Sequence, residues 1–155
     1  MKQWLVALFL AGAAGLGLAD DSADPQVGHA LDALGLGYTI DADGDYRLLL
    51  SFDDGRSQVV YVRSVVHSYE SHRIREIWAP GYRAPIGQFP ADVANRLLED
   101  ANDQVLGSWV KQGPMAMFVV KVDADAYGSR LYDAIYAAAV TADTLEEELT
   151  EADEF

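Results

Sequence analysis

The sequence predicts an α+β domain in which three helices pack on an antiparallel sheet. Two Asp-Gly pairs, Asp43-Gly44 and Asp54-Gly55, separate runs of strand-forming residues and can supply the positive φ angles of tight hairpin turns. Three other segments carry apolar residues every three or four positions, which is the helical period. The predicted order is α-β-β-β(-β)-α-β-β-α, with helices packed on an antiparallel sheet.

The first helix is predicted from a start signal. Asp24 can cap free backbone N–H groups, and Pro25 suits the first helical turn. We expect the helix to run to about Leu36 and to end at Gly35 or Gly37, which can adopt a left-handed conformation. Its apolar face consists of Val27, Ala30, Leu31 and Leu34.

Three strands are predicted around the Asp-Gly turns, at 37–42, 45–53 and 57–66. In the second strand, alternate residues build one strongly apolar face, which indicates a half-buried sheet. That face consists of Tyr46, Leu48, Leu50 and Phe52. A fourth strand is predicted at 72–78, where the residues also alternate.

The connection after the fourth strand is predicted from four turn-forming residues, Pro80, Gly81, Pro85 and Gly87. Pro90 then opens a second helix that ends near Val105. The buried stripe of this helix should consist of Val93, Leu97, Leu98, Ala101 and Val105.

Two more strands and a long helix complete the domain. The strands are placed at 106–112 and 115–122, joined around Gly113-Pro114. Asp123 or Asp125 can cap the last helix, which runs to about Leu149. Its apolar stripe consists of Leu131, Ile135, Ala138, Ala142, Leu145 and Leu149. The chain then ends in an acidic segment from Glu146 onward, which we expect to be solvated.

Residues 1–19 have the pattern of a secretory signal peptide. Lys2 precedes an apolar stretch from Trp4 to Ala19, and the small residues Gly17 and Ala19 suit a cleavage site. We predict export and cleavage after Ala19, which leaves residues 20–155 as a single periplasmic domain. The alternative is an uncleaved N-terminus that tethers the domain to the inner membrane, because the apolar run is just long enough to span a bilayer.

The composition restricts the classes of partner. The chain has 25 acidic and 11 Lys or Arg residues, a formal net charge of −14, and no cysteine. Nucleic acid and anionic lipid surfaces are poor partners, since phosphate binding needs clustered positive charge. The lack of cysteine excludes structural disulfides and lipid attachment at a lipobox.

Four sequence segments resemble the YbjN family. They are Asp53-Asp54-Gly55-Arg56-Ser57-Gln58, Arg75-Glu76-Ile77-Trp78-Ala79-Pro80, Ala94-Asn95-Arg96-Leu97-Leu98 and Leu106-Gly107-Ser108-Trp109. This family comprises bacterial proteins labelled sensory transduction regulators, with a fold similar to type III secretion chaperones. The resemblance extends from Val27 to the C-terminus. It implies a protein-binding domain, often dimeric, without an established catalytic site, and a secretory signal is unusual for such a domain.

No catalytic or metal-binding motif is complete in this sequence. Asp41, Asp43 and Asp45 are spaced like the first ligands of a calcium loop, but Tyr46 replaces its glycine and Phe52 replaces its bidentate glutamate. We interpret them as a plain turn. His67 and His72 are five residues apart, a spacing that matches neither a helical nor a strand face, and are interpreted as exposed loop residues. No serine lies in a nucleophile motif. We therefore predict no enzyme activity and no cofactor.

The predicted partner contacts combine arginine, aromatic and methionine residues. The segment from Arg63 to Arg83 contains four arginines among aromatic residues, a composition typical of interface hot spots. The alternative is that these arginines balance carboxylates of the chain itself. In the last strand, methionines alternate in phase with Lys121, and methionine adapts to varied apolar partners; core packing is the alternative. The predicted contact residues are Arg73, Arg75, Trp78, Met115 and Met117.

These observations predict a non-enzymatic, exported, chaperone-like or regulatory domain that binds another polypeptide. We also expect a homodimer. The alternative is an envelope enzyme or small-ligand module that uses carboxylates around the connection from Pro80 to Pro90. A metal-responsive sensor at Asp41 to Asp45 is a further alternative.

Overall fold

The computed structural model describes residues 23–155, and its elements confirm the predicted α+β order. The predicted signal peptide, residues 1–19, lies outside the described residues. The helices are α1 (Pro25–Ala33), α2 (Ala91–Asp103) and α3 (Ser129–Thr150). The strands are β1 (Tyr38–Ile40), β2 (Tyr46–Ser51), β3 (Ser57–Tyr69), β4 (His72–Arg83), β5 (Ser108–Gln112) and β6 (Met115–Asp123).

The six strands form one antiparallel sheet in the order β1-β2-β3-β4-β6-β5. The hairpin of β5 and β6 docks with β6 against β4, so β6 lies inside the sheet. Helix α3 packs across β3, β4 and β6. Its predicted apolar stripe is confirmed, because Leu131, Ile135, Ala138, Ala142 and Leu145 are buried and Leu149 packs against them.

The two faces of the sheet have different surroundings. Alternate residues of a strand point to opposite faces. In β6, Ala116, Phe118 and Val120 are fully buried in the core that α3 covers. Met115 and Met117 alternate with them and therefore point to the opposite side, which we call the open face. The predicted apolar face of β2 joins the helix-covered core.

Strand β4 is longer than predicted. Pro80 and Gly81 were expected in a connection, but they lie inside β4, which continues to Arg83. A register shift between Pro80 and Tyr82 accommodates the proline within the strand. Gly81 is required by packing, because a Cβ there would lie 2.5 Å from Cη2 of Trp109.

Two further predictions about the helices are wrong. Helix α3 starts at Ser129 after Gly128, so neither Asp123 nor Asp125 caps it. In α2, Leu97 is buried, but Leu98 is 68% exposed, and Val105 lies beyond the helix end and is 95% exposed. None of the helices within residues 23–155 has the length and hydropathy needed to cross a membrane.

Candidate functional site

A cavity of about 370 Å³ lies on the open face. None of its lining residues belongs to a helix. They come from β3, β4, β5, β6, the turn before β2 and the end of the chain: Asp41, Asp43, Asp45, Tyr61, Arg63, Trp78, Pro80, Arg83, Gln112, Met115, Met117 and Phe155. The cavity therefore combines aromatic and thioether surface with charges of both signs.

Trp78 is held in place by its polar atom and its ring face. Its indole Nε1 donates a hydrogen bond to Oε2 of Glu76 at 2.9 Å. The guanidinium of Arg63 lies 4.9 Å from the centre of the indole ring, which is a cation–π contact. The indole is half-buried and presents a fixed apolar surface to the cavity.

Arg63 also pairs with Asp45, whose Oδ2 lies 2.5 Å from the arginine Nε. The two groups are close but poorly aligned, so the contact is an ion pair without a directed hydrogen bond. The other oxygen of Asp45 accepts the N–H of Ser64 at 2.7 Å. Burial raises the pKa of Asp45, although the Ser64 N–H and Arg63 oppose the shift.

Two carboxylates of the turn before β2, those of Asp41 and Asp45, bind groups of this chain. Oδ1 of Asp41 accepts the backbone N–H groups of Asp43 and Asp45, each at 3.0 Å. With Asp45 bound to Arg63 and Ser64, these contacts are those of a plain turn. Among the described residues, a group of three side chains that could share a cation is found elsewhere, at Asp143, Glu146 and Asp153.

All four arginines of the segment from Arg63 to Arg83 lie beside carboxylates of this chain. The pairs are Arg63 with Asp45, Arg73 with Asp125, Arg75 with Asp24, and Arg83 with Glu154. The interpretation that these arginines balance the chain's own carboxylates is confirmed for all four. A partner would have to compete with these pairs or bind between them.

Arg75 is a buried structural residue on the helix-covered face. Strand β3 shifts register between Val62 and Val66, and the guanidinium of Arg75 donates to the carbonyls of Arg63 and Ser64 within this bulge. Nη2 also binds Oδ2 of Asp24, the N-cap of α1, at 2.5 Å. Arg75 thus links α1 to the irregular part of the sheet.

The structure brings together three of the five predicted contact residues. Trp78, Met115 and Met117 line the open-face cavity. Arg73 and Arg75 do not line it, and Arg73 is 61% exposed near the far end of β4. The two-residue period of a strand already places positions 73 and 75 opposite position 78. That signal was present in the sequence.

Sequence reasoning missed the last residues of the chain, which we call the tail (residues 151–155). The prediction of a solvated acidic end is wrong for part of it, because Glu146 has no exposed surface and the tail docks against β3. Arg56 binds the carbonyl oxygen of Ala152 at 2.7 Å, and Arg83 binds Glu154 at 2.7 Å. Each pair is far apart in sequence, so no local pattern indicates it.

Arg56 also supplies the positive charge for the acidic cluster beside the tail. Its Nε donates to Oδ1 of Asp143 at 2.8 Å, and its Nη2 lies 3.7 Å from Oε2 of Glu146. Burial raises the pKa of both carboxyl groups, although Arg56 opposes the shift. Since Arg56 already pairs with two of the three carboxyl groups, we assign this cluster a structural role.

No protein-family model matches the chain, and no curated protein matches it. The resemblance to the YbjN family therefore stays a prediction from the four sequence segments.

Proposed function

We propose that the chain is an exported, non-enzymatic protein-binding domain with a chaperone-like or regulatory role. The open-face cavity is the observation that carries the proposal. Trp78 and Met115 present half-buried apolar surface there, next to the largely buried Met117 and beside the guanidinium of Arg63. Aromatic, methionine and arginine side chains are the types enriched where proteins bind one another.

Burial of this surface under another polypeptide would supply the binding free energy. Methionine side chains are flexible and adapt to differently shaped apolar partners. The charged residues at the rim, Asp41 and Arg83 among them, would orient the bound segment more than they would strengthen its binding. Export rests on the signal-like pattern of residues 1–19, and a homodimer is part of the same proposal.

The chain's lack of cysteine makes a site-specific crosslinking test simple. Gln112→Cys places a single thiol at the cavity rim, and Tyr136→Cys places one on the exposed side of α3, where Tyr136 is 48% exposed. Each variant is coupled to a photoreactive probe and illuminated with envelope extract. We expect adducts with another polypeptide from position 112 and few from position 136.

Adding Trp78→Ala to the Gln112→Cys variant is the specificity control. It should reduce the adducts at position 112, because the apolar floor of the cavity is lost. Equal adducts from positions 112 and 136, or adducts unaffected by Trp78→Ala, would contradict the proposal. Adducts that contain only two copies of this chain would support the homodimer and count against a separate partner at this surface.

A further inference from the structure

Strands β3 and β4 pair along only part of their length. The pairs run from Tyr69 with His72 to Tyr61 with Trp78, while β4 stays paired with β6 as far as Arg83. Two residues after Trp78, Pro80 has no N–H group to donate to β3. Its carbonyl oxygen already accepts a hydrogen bond from Nε2 of Gln58 at 2.8 Å. Strand β4 therefore cannot pair regularly with the first residues of β3.

The tail occupies the resulting gap, which we call the tail groove. The N–H of Val59 donates to a main-chain oxygen of Phe155 at 2.7 Å, and Arg56 donates to the carbonyl oxygen of Ala152 at 2.7 Å. The N–H of Ser57 donates to Oδ1 of Asp153 at 3.2 Å. The contacts at Phe155 and Ala152 use only the main chain of the tail, so an extended segment of different sequence can make them as well.

The side chains of the tail define the chemistry that the groove accepts. Oε1 of Glu154 lies 2.7 Å from Nε of Arg83, and the guanidinium of Arg83 lies 5.6 Å from the ring centre of Phe155. The Phe155 ring also lines the open-face cavity. One arginine thus contacts both an acidic side chain and the aromatic side chain that follows it.

We propose that the tail groove is a peptide site, which takes an extended segment of a partner protein with an acidic residue directly before an aromatic one. The tail is the internal ligand of this site and competes with the partner. This inference rests on the proposed protein-binding function and assigns that function a second, sequence-selective contact beside the open-face cavity. The main-chain hydrogen bond of Val59 and the Arg56 contact with a main-chain carbonyl would supply part of the affinity, and Arg83 would supply selectivity.

Most side-chain contacts of the tail are exposed, which allows its displacement, although the N–H of Glu154 also donates to Oε1 of the buried Glu146 at 2.6 Å. The Arg83–Glu154 pair has about half of its side-chain surface in solvent, and exposed ion pairs contribute little. A tethered segment nevertheless acts at an effective concentration on the order of millimolar. An external peptide therefore binds only the fraction of molecules whose groove is open, which weakens its apparent affinity.

The test measures binding of a fluorescein-labelled peptide with the sequence of residues 148–155 to the full chain. We expect the variant Glu154→Gln with Phe155→Ala, whose own tail is weakened, to bind this peptide at least tenfold more tightly than the unaltered chain. A control peptide with Gln and Ala at its last two positions should not bind. Adding Arg83→Gln to the weakened variant should reduce affinity about three- to tenfold, because the exposed ion pair and the cation–π contact are both lost.

Thermal unfolding of each variant shows that the fold is kept, and Glu154→Gln alone is a milder second variant. Absence of peptide binding by these folded variants would overturn the proposal, as would equal binding by the unaltered chain. Dimers that exchange tails without binding the peptide would assign the groove to a second copy and overturn the peptide assignment.

The peptide test and the crosslinking test can fail independently. If the peptide does not bind but adducts at position 112 persist, the proposed binding function is retained and the groove assignment is rejected. Peptide binding without those adducts would count against the open-face function instead.

Discussion

The two faces of the sheet are made by the same strands but have different cover. In β6, Phe118 lies under α3 with no exposed surface, whereas Met115 on the open face is half-buried. Burial also differs between two positions on a single face of β4. Arg75 is buried against Asp24, whereas Arg73 is solvent-exposed. Strand alternation therefore assigns a side chain to a face, and the covering element determines its energetic role.

The largest expected difference between the faces is in stability. Phe118→Ala should lower the free energy of unfolding by roughly 3 to 5 kcal/mol, because it leaves a cavity under α3. Met115→Ala should cost about 1 to 2 kcal/mol, since its side chain is only half-buried beside the open-face cavity. Urea unfolding of both variants measures the difference. Equal losses would mean that both faces contribute alike to the core.

The next two variants replace arginines that lie on the same face of β4 but differ in burial. Arg75→Met should cost about 3 kcal/mol, because it leaves the Asp24 carboxylate and two bulge carbonyls without their donor. Arg73→Met should change stability by less than about 0.5 kcal/mol, since its ion pair is exposed. Thermal or urea unfolding compares them. Similar stabilities of the two variants would contradict the structural role of Arg75.

The smallest expected effect concerns two carboxyl groups on α3 whose pKa values shift in opposite directions. Burial raises the pKa of Glu146, whereas hydrogen bonding to Arg96 lowers that of Glu148. Glu146, whose pKa is raised in the folded state, stabilises the fold at a pH below the pKa it has in the unfolded chain. This contribution is lost as the pH rises through the pKa of the folded state. Glu148, whose pKa is lowered in the folded state, stabilises the fold at a pH above the pKa it has in the unfolded chain. This contribution is lost as the pH falls through the pKa of the folded state.

Single substitutions separate these two groups from the rest of the acidic chain. The stability of Glu146→Gln relative to the unaltered chain should increase as the pH rises from about 4 to 7, because the variant avoids burying a charge. The relative stability of Glu148→Gln should decrease over the same range. Urea unfolding at several pH values gives both slopes. Slopes of the same sign would contradict the opposite pKa shifts of the buried Glu146 and the exposed Glu148.

Much of the fold could be predicted because its signals are local. The two Asp-Gly turns, the alternation in β2 and the helical stripe of α3 each repeat within a few residues. Local signals failed where packing overrides propensity. Pro80 and Gly81 favour a turn, but pairing of β4 with β6 keeps them within a strand.

The candidate site was predicted only in part for the same reason. The two-residue period of a strand predicts that Met115 and Met117 lie on the same face of the sheet. It also predicts that Arg73 and Arg75 lie on the face opposite Trp78. The role of the tail depends instead on pairs such as Arg83 with Glu154, which are 71 residues apart. Chain folding alone brings such groups together.

The sequence by itself determined the α+β order, the acidic charge, the lack of disulfides and the division of each strand into two faces. These properties depend on composition and on periods of two or about 3.6 residues. Tertiary structure alone decided that α3 covers one face, that Arg75 is buried and that the tail fills the gap beside β3. Burial and ion pairing depend on distances in space, which the spacing of residues along a chain does not determine.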